Sequence, residues 1–374
     1  VGYAVYRLLP GDSGGDTELE ISGGAMDNGL VRLSYDNRSG FVTGLEDLRN
    51  GGRQALDAEK GSNYIQVFQD HPGSSDAWNI ALGEELRLDR LSAPEIVETG
   101  PVRTTIKYAY QVGINRFVQY VSLVEGMPMM YGRIEADWQE RHKMAKLAFN
   151  FNISNNEVWY NIPYAAISRK SIPETLSEKA KSEHCGQKWV DFSEDNASFG
   201  VTILNNSKYG YDADHSRIRM SLLRAPTHPD PIADKGQHEI EYALAPHAGG
   251  WRDGHAPAAG YEFNYPLFTV FADTHPGDLG PAGSFFSAEP AGAVVLSVVK
   301  KAEDDSDVVI RLVELEGRDT TVTVTLPFVP AAAAEVNLIE DPMEEFEPIE
   351  IDGDSITLPI GHHEIKTIKL SRGA

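Results

Sequence analysis

Apolar positions in this chain recur every second residue far more often than every third or fourth, and that period predicts strands. Ile106, Tyr108, Tyr110 and Val112 share one side of an extended segment, while Lys107, Ala109 and Gln111 share the other. Val322, Val324 and Leu326 alternate with Thr321, Thr323 and Thr325, and their β-branched content suits a pleated, half-buried surface. Leu30 to Tyr35, the turn Asp36 to Gly40, and Phe41 to Leu45 predict a hairpin in which Gly40 supplies the positive φ of the return. Ile349 to Ile351, Asp352-Gly353 and Ser355 to Leu358 predict another. The 34 Gly and 21 Pro fall mainly between such runs, where turns need them. The fold class expected is all-β.

Helical signals are sparse. Glu174 to His184 is the best candidate, with Pro173 at a first turn and Glu and Lys able to pair across one turn, but its apolar face is thin and a short surface element or a loop between sheets is expected. Ala331 to Ala334 favours helix by propensity, yet it is too short to nucleate and follows Pro330, so it reads as a crossing loop. Pro276 to Pro290 has the composition of a connecting segment, and strand-like sequence resumes at Ala293 to Val298. The expected organisation is a lead-in over 1–25, a large β-domain over 26–285 and a smaller β-sandwich over 286–374. No repeat of fixed period is visible, which disfavours a propeller or solenoid.

Composition narrows the partners. A chain of 374 residues exceeds one ordinary core, and 41% hydrophobic with 9% aromatic residues is normal for a folded protein. With 33 Lys+Arg against 56 Asp+Glu the formal charge is −23, which repels phosphate backbones and anionic membrane surfaces. Neither nucleic acid nor membrane is expected as a partner. No window reaches the ~18 apolar residues of a spanning helix, and Val1 to Arg7 has no basic head before an apolar signal core. The first residue is not Met, which fits an excised or a processed chain. Cys185 stands alone, so no internal disulfide forms, and a reducing, cytoplasmic setting is expected.

Several residues invite chemistry, each with a plainer alternative. In Asp76-Ala77-Trp78-Asn79 an indole face could stack on the C–H face of a pyranose while Asp76 and Asn79 bond its hydroxyls; the alternative is a core tryptophan beside a turn-forming Asp. Asp230, Asp234 and Glu239 could supply the two carboxylates ~5–5.5 Å apart that a retaining glycosidase requires, on backbone stiffened by Pro229 and Pro231. The alternative is that they form turns and pair with Lys235 or Arg224. Glu140-Arg141-His142-Lys143 ends a strand, and a Glu–Arg pair fixing a turn is the expected role. His142 with Glu140, or His238 with Glu239, could formally serve a mutarotase as acid and base. Eleven His include no His-x-x-x-His or Cys/His cluster, and adjacent His362 and His363 would face opposite ways in a strand. No metal site is expected in this chain, nor any glycine-rich loop for a nucleotide cofactor.

From Met26 onward the chain resembles, in order and spacing, the β-rich C-terminal part of glycoside hydrolase family 38 α-mannosidases, especially the neutral, cytosolic-type branch. The matching pieces include Asn28-Gly29-Leu30-Val31, Asp76-Ala77-Trp78, Glu140-Arg141-His142-Lys143, Lys188-Trp189-Val190-Asp191, Asn205-Asn206-Ser207-Lys208-Tyr209-Gly210, Leu222-Leu223-Arg224-Ala225-Pro226, Asp230-Pro231, His238-Glu239, Pro246-His247 and Glu364 to Leu370. The resemblance implies a β-supersandwich similar to galactose mutarotase, followed by a smaller β-sandwich. In the family, a preceding β/α domain carries the aspartate nucleophile and a zinc ion, so no catalytic residue and no cofactor is assigned to this chain.

Its implied partners are the catalytic half of the same enzyme and a mannose-containing oligosaccharide, and the family's tendency to oligomerise adds a homo-oligomer. The residues expected to contact sugar are Asp76, Trp78, Asn79, Asp230 and Asp234. The chain departs from the branch at Ser74-Ser75, where an aromatic is common, at Asn79, where an acid is common, and at Gln187, often His. The rival expectation is a stand-alone carbohydrate-binding module.

Overall fold

The computed structural model describes residues 2–10, 17–181, 183–343, 345 and 349–372. The chain forms two compact units, one of Ser13–Ile162 with Ile167–Asn264, the other of Val1–Asp12, Pro163–Ala166 and Tyr265–Ala374. The second unit takes in Tyr265 onward, and residues 265–281 form no strand. Both units are β-structures, as the alternating pattern requires.

The larger unit contains sheets of nine, six and five strands. Arg103–Val112 and Asn115–Val124 pair as a hairpin, and Met130–Trp138 lies between Asn115–Val124 and Gly236–Ala248 in the nine-stranded sheet. Tyr64–Asp70, Lys143–Asn150 and Arg217–Arg224 run side by side in the six-stranded sheet. Val31–Tyr35 and Val42–Asp47 form the expected hairpin, with Gly40 at φ 79°. Alternate residues from these sheets meet in one core: Ile106, Tyr108, Tyr110 and Val112 from one strand, Ile134, Ala136 and Trp138 from another, and Ala145, Leu147 and Phe149 from a third. Gly132 lies opposite Tyr242, and a Cβ there would sit 2.0 Å from the ring, so only glycine lets Tyr242 lie across the strand and donate to Asn63 at 2.5 Å.

Buried charged groups with ionic partners brace this unit. Lys146, between the core-facing Ala145 and Leu147, points from the opposite face, is fully buried, and meets Glu183 at 2.7 Å, Asp212 at 2.5 Å and Ser221 at 3.0 Å. His247 Nε2 lies 2.8 Å from Asp191, which also accepts from Ser193 at 2.5 Å and Thr202 at 2.8 Å. Burial opposes the charged imidazolium of His247, but the Asp191 charge and hydrogen bond and the Ala248 carbonyl outweigh it, and its pKa is raised above 6.5. The stability this pair contributes is therefore full below about pH 6.5 and is lost as pH rises through the folded pKa. Urea midpoints from about pH 6 to 9 should fall across that window, and His247→Gln should remove the fall; an unchanged slope would contradict the pairing.

The smaller unit packs two four-stranded sheets face to face. Ser287–Glu289, Thr320–Thr325, Ser355–Ile360 and Glu350–Asp352 form one, and Val294–Lys301, Val308–Glu314, Ile365–Ser371 and Ala332–Val336 the other. Val322, Val324, Ile310, Leu312, Leu358 and Ile368 fill the space between.

Local departures from expectation have physical causes. Ala332–Val336 is a strand, not a crossing loop, because pairing with Ile365–Ser371 satisfies its backbone and overrides alanine's helical preference. The helix within 174–184 is a single turn, Leu176–Lys179, capped by Thr175 and Glu178; Leu176 is exposed, and no apolar face extends it. His362 and His363 occupy a turn rather than a strand, His362 beside Asp319 at 3.1 Å and His363 at φ 53°. The helix Ala256–Asn264 was not expected, since Pro257 and Gly260 depress its propensity, yet glycine lets it lie against Trp189.

Candidate functional site

Three connections of the larger unit are knitted together. Residues 71–81 leave Tyr64–Asp70, residues 139–142 pass from Met130–Trp138 to Lys143–Asn150, and residues 225–235 pass from Arg217–Arg224 to Gly236–Ala248. The last two cross between the nine- and six-stranded sheets, so they lie where the sheets exchange chain. The backbone of His142 ties the ends, its N–H donating to Ala225 at 2.7 Å and its carbonyl accepting from Asp70 at 2.8 Å. His142 adopts φ 52°, Ser75 φ 58° and Asp234 φ 59°, so the left-handed region is occupied by a non-glycine residue in each connection.

Arg224 is the central brace. Its Nε donates to Asp70 at 2.6 Å, Nη1 to the Ala77 carbonyl at 3.2 Å, and Nη2 to the Asn79 carbonyl. Asp70, itself buried, also accepts from the Ala81 N–H at 2.8 Å. One planar guanidinium thus fixes both sides of the turn that presents Trp78, a task suited to its rigid fork of donors. Within that turn the N–H groups of Trp78 and Asn79 donate to the Ser75 carbonyl at 3.0 and 3.2 Å. The result is an indole that is 70% exposed on a backbone held from below.

The acids of the site act as anchors. Buried Asp76 accepts from the Thr227 N–H at 2.6 Å, the Thr227 hydroxyl at 3.0 Å and the His228 N–H at 3.0 Å, with His142 Nδ1 3.8 Å away. The Thr227 N–H above all holds its carboxyl below the ordinary carboxylate range; burial opposes this, and the Thr227 hydroxyl, the His228 N–H and the His142 charge assist. Asp234 accepts from the Arg224 backbone N–H at 2.8 Å, and its carbonyl takes a bond from the His238 ring at 2.7 Å. Asp230 accepts from the Ile232 N–H at 3.0 Å and closes a local turn.

Asp76, Trp78, Asn79, Asp230 and Asp234 therefore all lie on two connections joined by Arg224 and Asp76. Trp78 is a surface residue, not a core one, while Asp76 has the turn-anchoring contacts of the plainer alternative. Asp234 meets the backbone of Arg224, whose guanidinium goes to Asp70, a partner that sequence distance concealed. Glu140 forms its ion pair with Lys143 and accepts from Asn115 at 2.8 Å, in place of the expected ion pair with Arg141. His142 faces Asp76 and Thr227, and Glu239 faces Arg133 at 3.4 Å, so neither His–Glu couple is assembled as an acid and base. Among the described residues, no group of three or more His, Cys, Asp or Glu is arranged to hold a metal ion, and no helix is long and apolar enough to cross a membrane.

Comparison with known proteins agrees with this architecture. The profile of the glycosyl hydrolases family 38 C-terminal domain matches residues 26–232, and that of the family 38 C-terminal beta sandwich domain matches residues 293–368. Alpha-mannosidase 2C1 of Homo sapiens is 32% identical over 325 residues, which cover 85% of this chain and 31% of that protein. Alpha-mannosidase G of Dictyostelium discoideum is 27% identical across 98% of this chain and 34% of its own length. The chain thus spans about a third of the length of these relatives. The crystal structure of an alpha-mannosidase from Enterococcus faecalis V583 superimposes with a TM-score of 0.78 over 95% of this chain and 43% of that one, at 13% identity, which shows a shared fold. The chain belongs to glycosyl hydrolase family 38 and carries that family's C-terminal β-region.

Proposed function

We propose that this chain is the non-catalytic β-region of a zinc-dependent, retaining α-mannosidase that removes terminal α-linked mannose from oligosaccharides in the cytoplasm. The nucleophile and the zinc ligands would come from residues outside it, a reading that fits the use of Asp76, Asp230 and Asp234 as anchors. Its contribution is to support the catalytic part and to lend a surface to the sugar.

The observation that carries this reading is the exposure of Trp78 on a braced turn. A large aromatic in water is costly unless something covers it, and a flat indole stacks on the C–H face of a pyranose while the rigid backbone keeps the entropic cost of binding low. The names of the relatives supply the sugar, mannose.

Trp78→Ala tests it in a catalytically complete polypeptide containing this chain. We expect kcat/KM for an aryl α-mannoside to fall by about tenfold, a loss of roughly 1.4 kcal/mol of transition-state binding, with Tm unchanged because Trp78 is a surface residue. An unaltered kcat/KM would retire Trp78 as a sugar contact.

A further inference from the structure

Four parts of the larger unit, far apart in sequence, wall a cleft of about 430 Å³. Arg53, Gln54 and Asp57 line it together with residues 151–154, Glu194 and Ser216, and none of these belongs to the three connections around Trp78. Backbone bonds fix the walls. The Asp57 N–H donates to the Asn150 carbonyl at 2.9 Å, the Asn152 N–H to Ala55 at 2.9 Å, and the Phe151 N–H to Ser216 at 2.9 Å. In turn, the Asn155 side chain donates to the Ser193 carbonyl at 2.7 Å, while Arg53 donates to Glu194 at 2.6 Å and to the Ser198 hydroxyl at 3.1 Å. The Arg53 guanidinium also lies 4.8 Å from the centre of the Phe199 ring. With its walls fixed in advance, the cleft has few side chains left to order on binding.

The charges of the lining cancel. Arg53 is paired with Glu194, and Asp57 with Lys60 at 2.9 Å, so among the described residues each charge in the wall has its counterion. A phosphate or carboxylate finds no unpaired cation there, and the formal charge of −23 repels it further. What the lining offers instead is hydrogen bonding of both signs. Ser154 and Ser216 bring hydroxyls, Asn152 an amide, Asp57 and Glu194 their remaining lone pairs, and Gln54 its NH2, the Gln54 oxygen being taken by the Leu45 N–H at 2.6 Å. A sugar hydroxyl donates and accepts at one oxygen, which suits such mixed partners. Phe151 and Ile153, 1% and 5% exposed, supply a small apolar floor for ring C–H groups.

We infer that this cleft is a second sugar-binding site, taking a neutral pyranose through its hydroxyls. The inference goes beyond the function proposed above and rests on that reading only for the choice of mannose. The volume falls within the ~300–1,000 Å³ of small-molecule sites. Because Phe151, the aromatic of the lining, is buried and offers no face for stacking, the affinity is low, with Kd ~1–10 mM.

Titration of the 374-residue chain with methyl α-D-mannopyranoside, followed by NMR at the Ile153 methyl and the Trp78 indole N–H, tests the site. We expect the Ile153 signal to shift and to saturate with Kd ~1–10 mM. Glucuronate, a charged analogue, should bind at least about fivefold more weakly. Ser154→Trp, which fills the cleft from an exposed position, should weaken the mannoside about tenfold, and Asn152→Ala, also exposed, about threefold, both with Tm unchanged. An Ile153 methyl that stays still up to ~100 mM mannoside, or a shift undiminished in both variants, would overturn the proposal and leave a solvated crevice. Glucuronate bound as tightly as the mannoside would contradict the neutral ligand. A shift of Ile153 alone supports the cleft and tells against Trp78 as a sugar contact, whereas a shift of Trp78 alone sinks the cleft and leaves the proposed function standing.

Discussion

Replacing Arg224 with alanine should lower the unfolding free energy by about 3–5 kcal/mol, the cost of leaving one member of a buried ion pair without its partner. Asp70 is buried, and the change leaves its carboxylate with the Ala81 N–H alone among the bonds described above. The carbonyls of Ala77 and Asn79 lose their donor in the same step. Arg224→Lys should recover only part of the loss, because an ammonium on a flexible stem cannot reach a carboxylate and two carbonyls in one plane. Urea unfolding measures the total, and Trp78 emission reports the turn. If Arg224→Ala cost under about 1 kcal/mol, the guanidinium would not be the brace of the site.

Lys146→Ala should cost about 3 kcal/mol, the lower end of the range for a broken buried pair, because Glu183 and Asp212 retain some contact with water. The ammonium itself is fully buried, and its partners among the described residues are those carboxylates and Ser221. Lys146→Met should recover packing but not charge, since Asp212 keeps Arg219 at 2.8 Å while Glu183 keeps only the Ser221 hydroxyl among the bonds described. A loss of the same size for both variants would show that charge dominates. A loss near zero for both would contradict the network, and chemical denaturation at neutral pH decides among these outcomes.

The architecture was legible because burial imposes period 2 on a strand. Ile106 to Val112 and Val322 to Leu326 declare their faces without help from the rest of the chain. Ala332–Val336 could not be read this way, since alanines carry no face, and only the distant strand Ile365–Ser371 makes them extended. The site was legible in part. Trp78 and the acids around it drew attention by residue type, but type could not say that Trp78 lies at the surface or that Asp76 reaches Thr227 and His228, far along the sequence. Nor could it pair Asp70 with Arg224, because that bond exists only once two connections are brought to the same end of the sheets.

If, as proposed, this chain is part of an α-mannosidase, its reacting groups lie outside residues 1–374, and one assay tests this most directly. The purified chain is incubated with an aryl α-mannoside and added zinc, and release of the aryl group is followed. We expect no turnover above buffer and no stoichiometric zinc; clear turnover, abolished by substitution within Asp76, Asp230 or Asp234, would place reacting groups inside this chain.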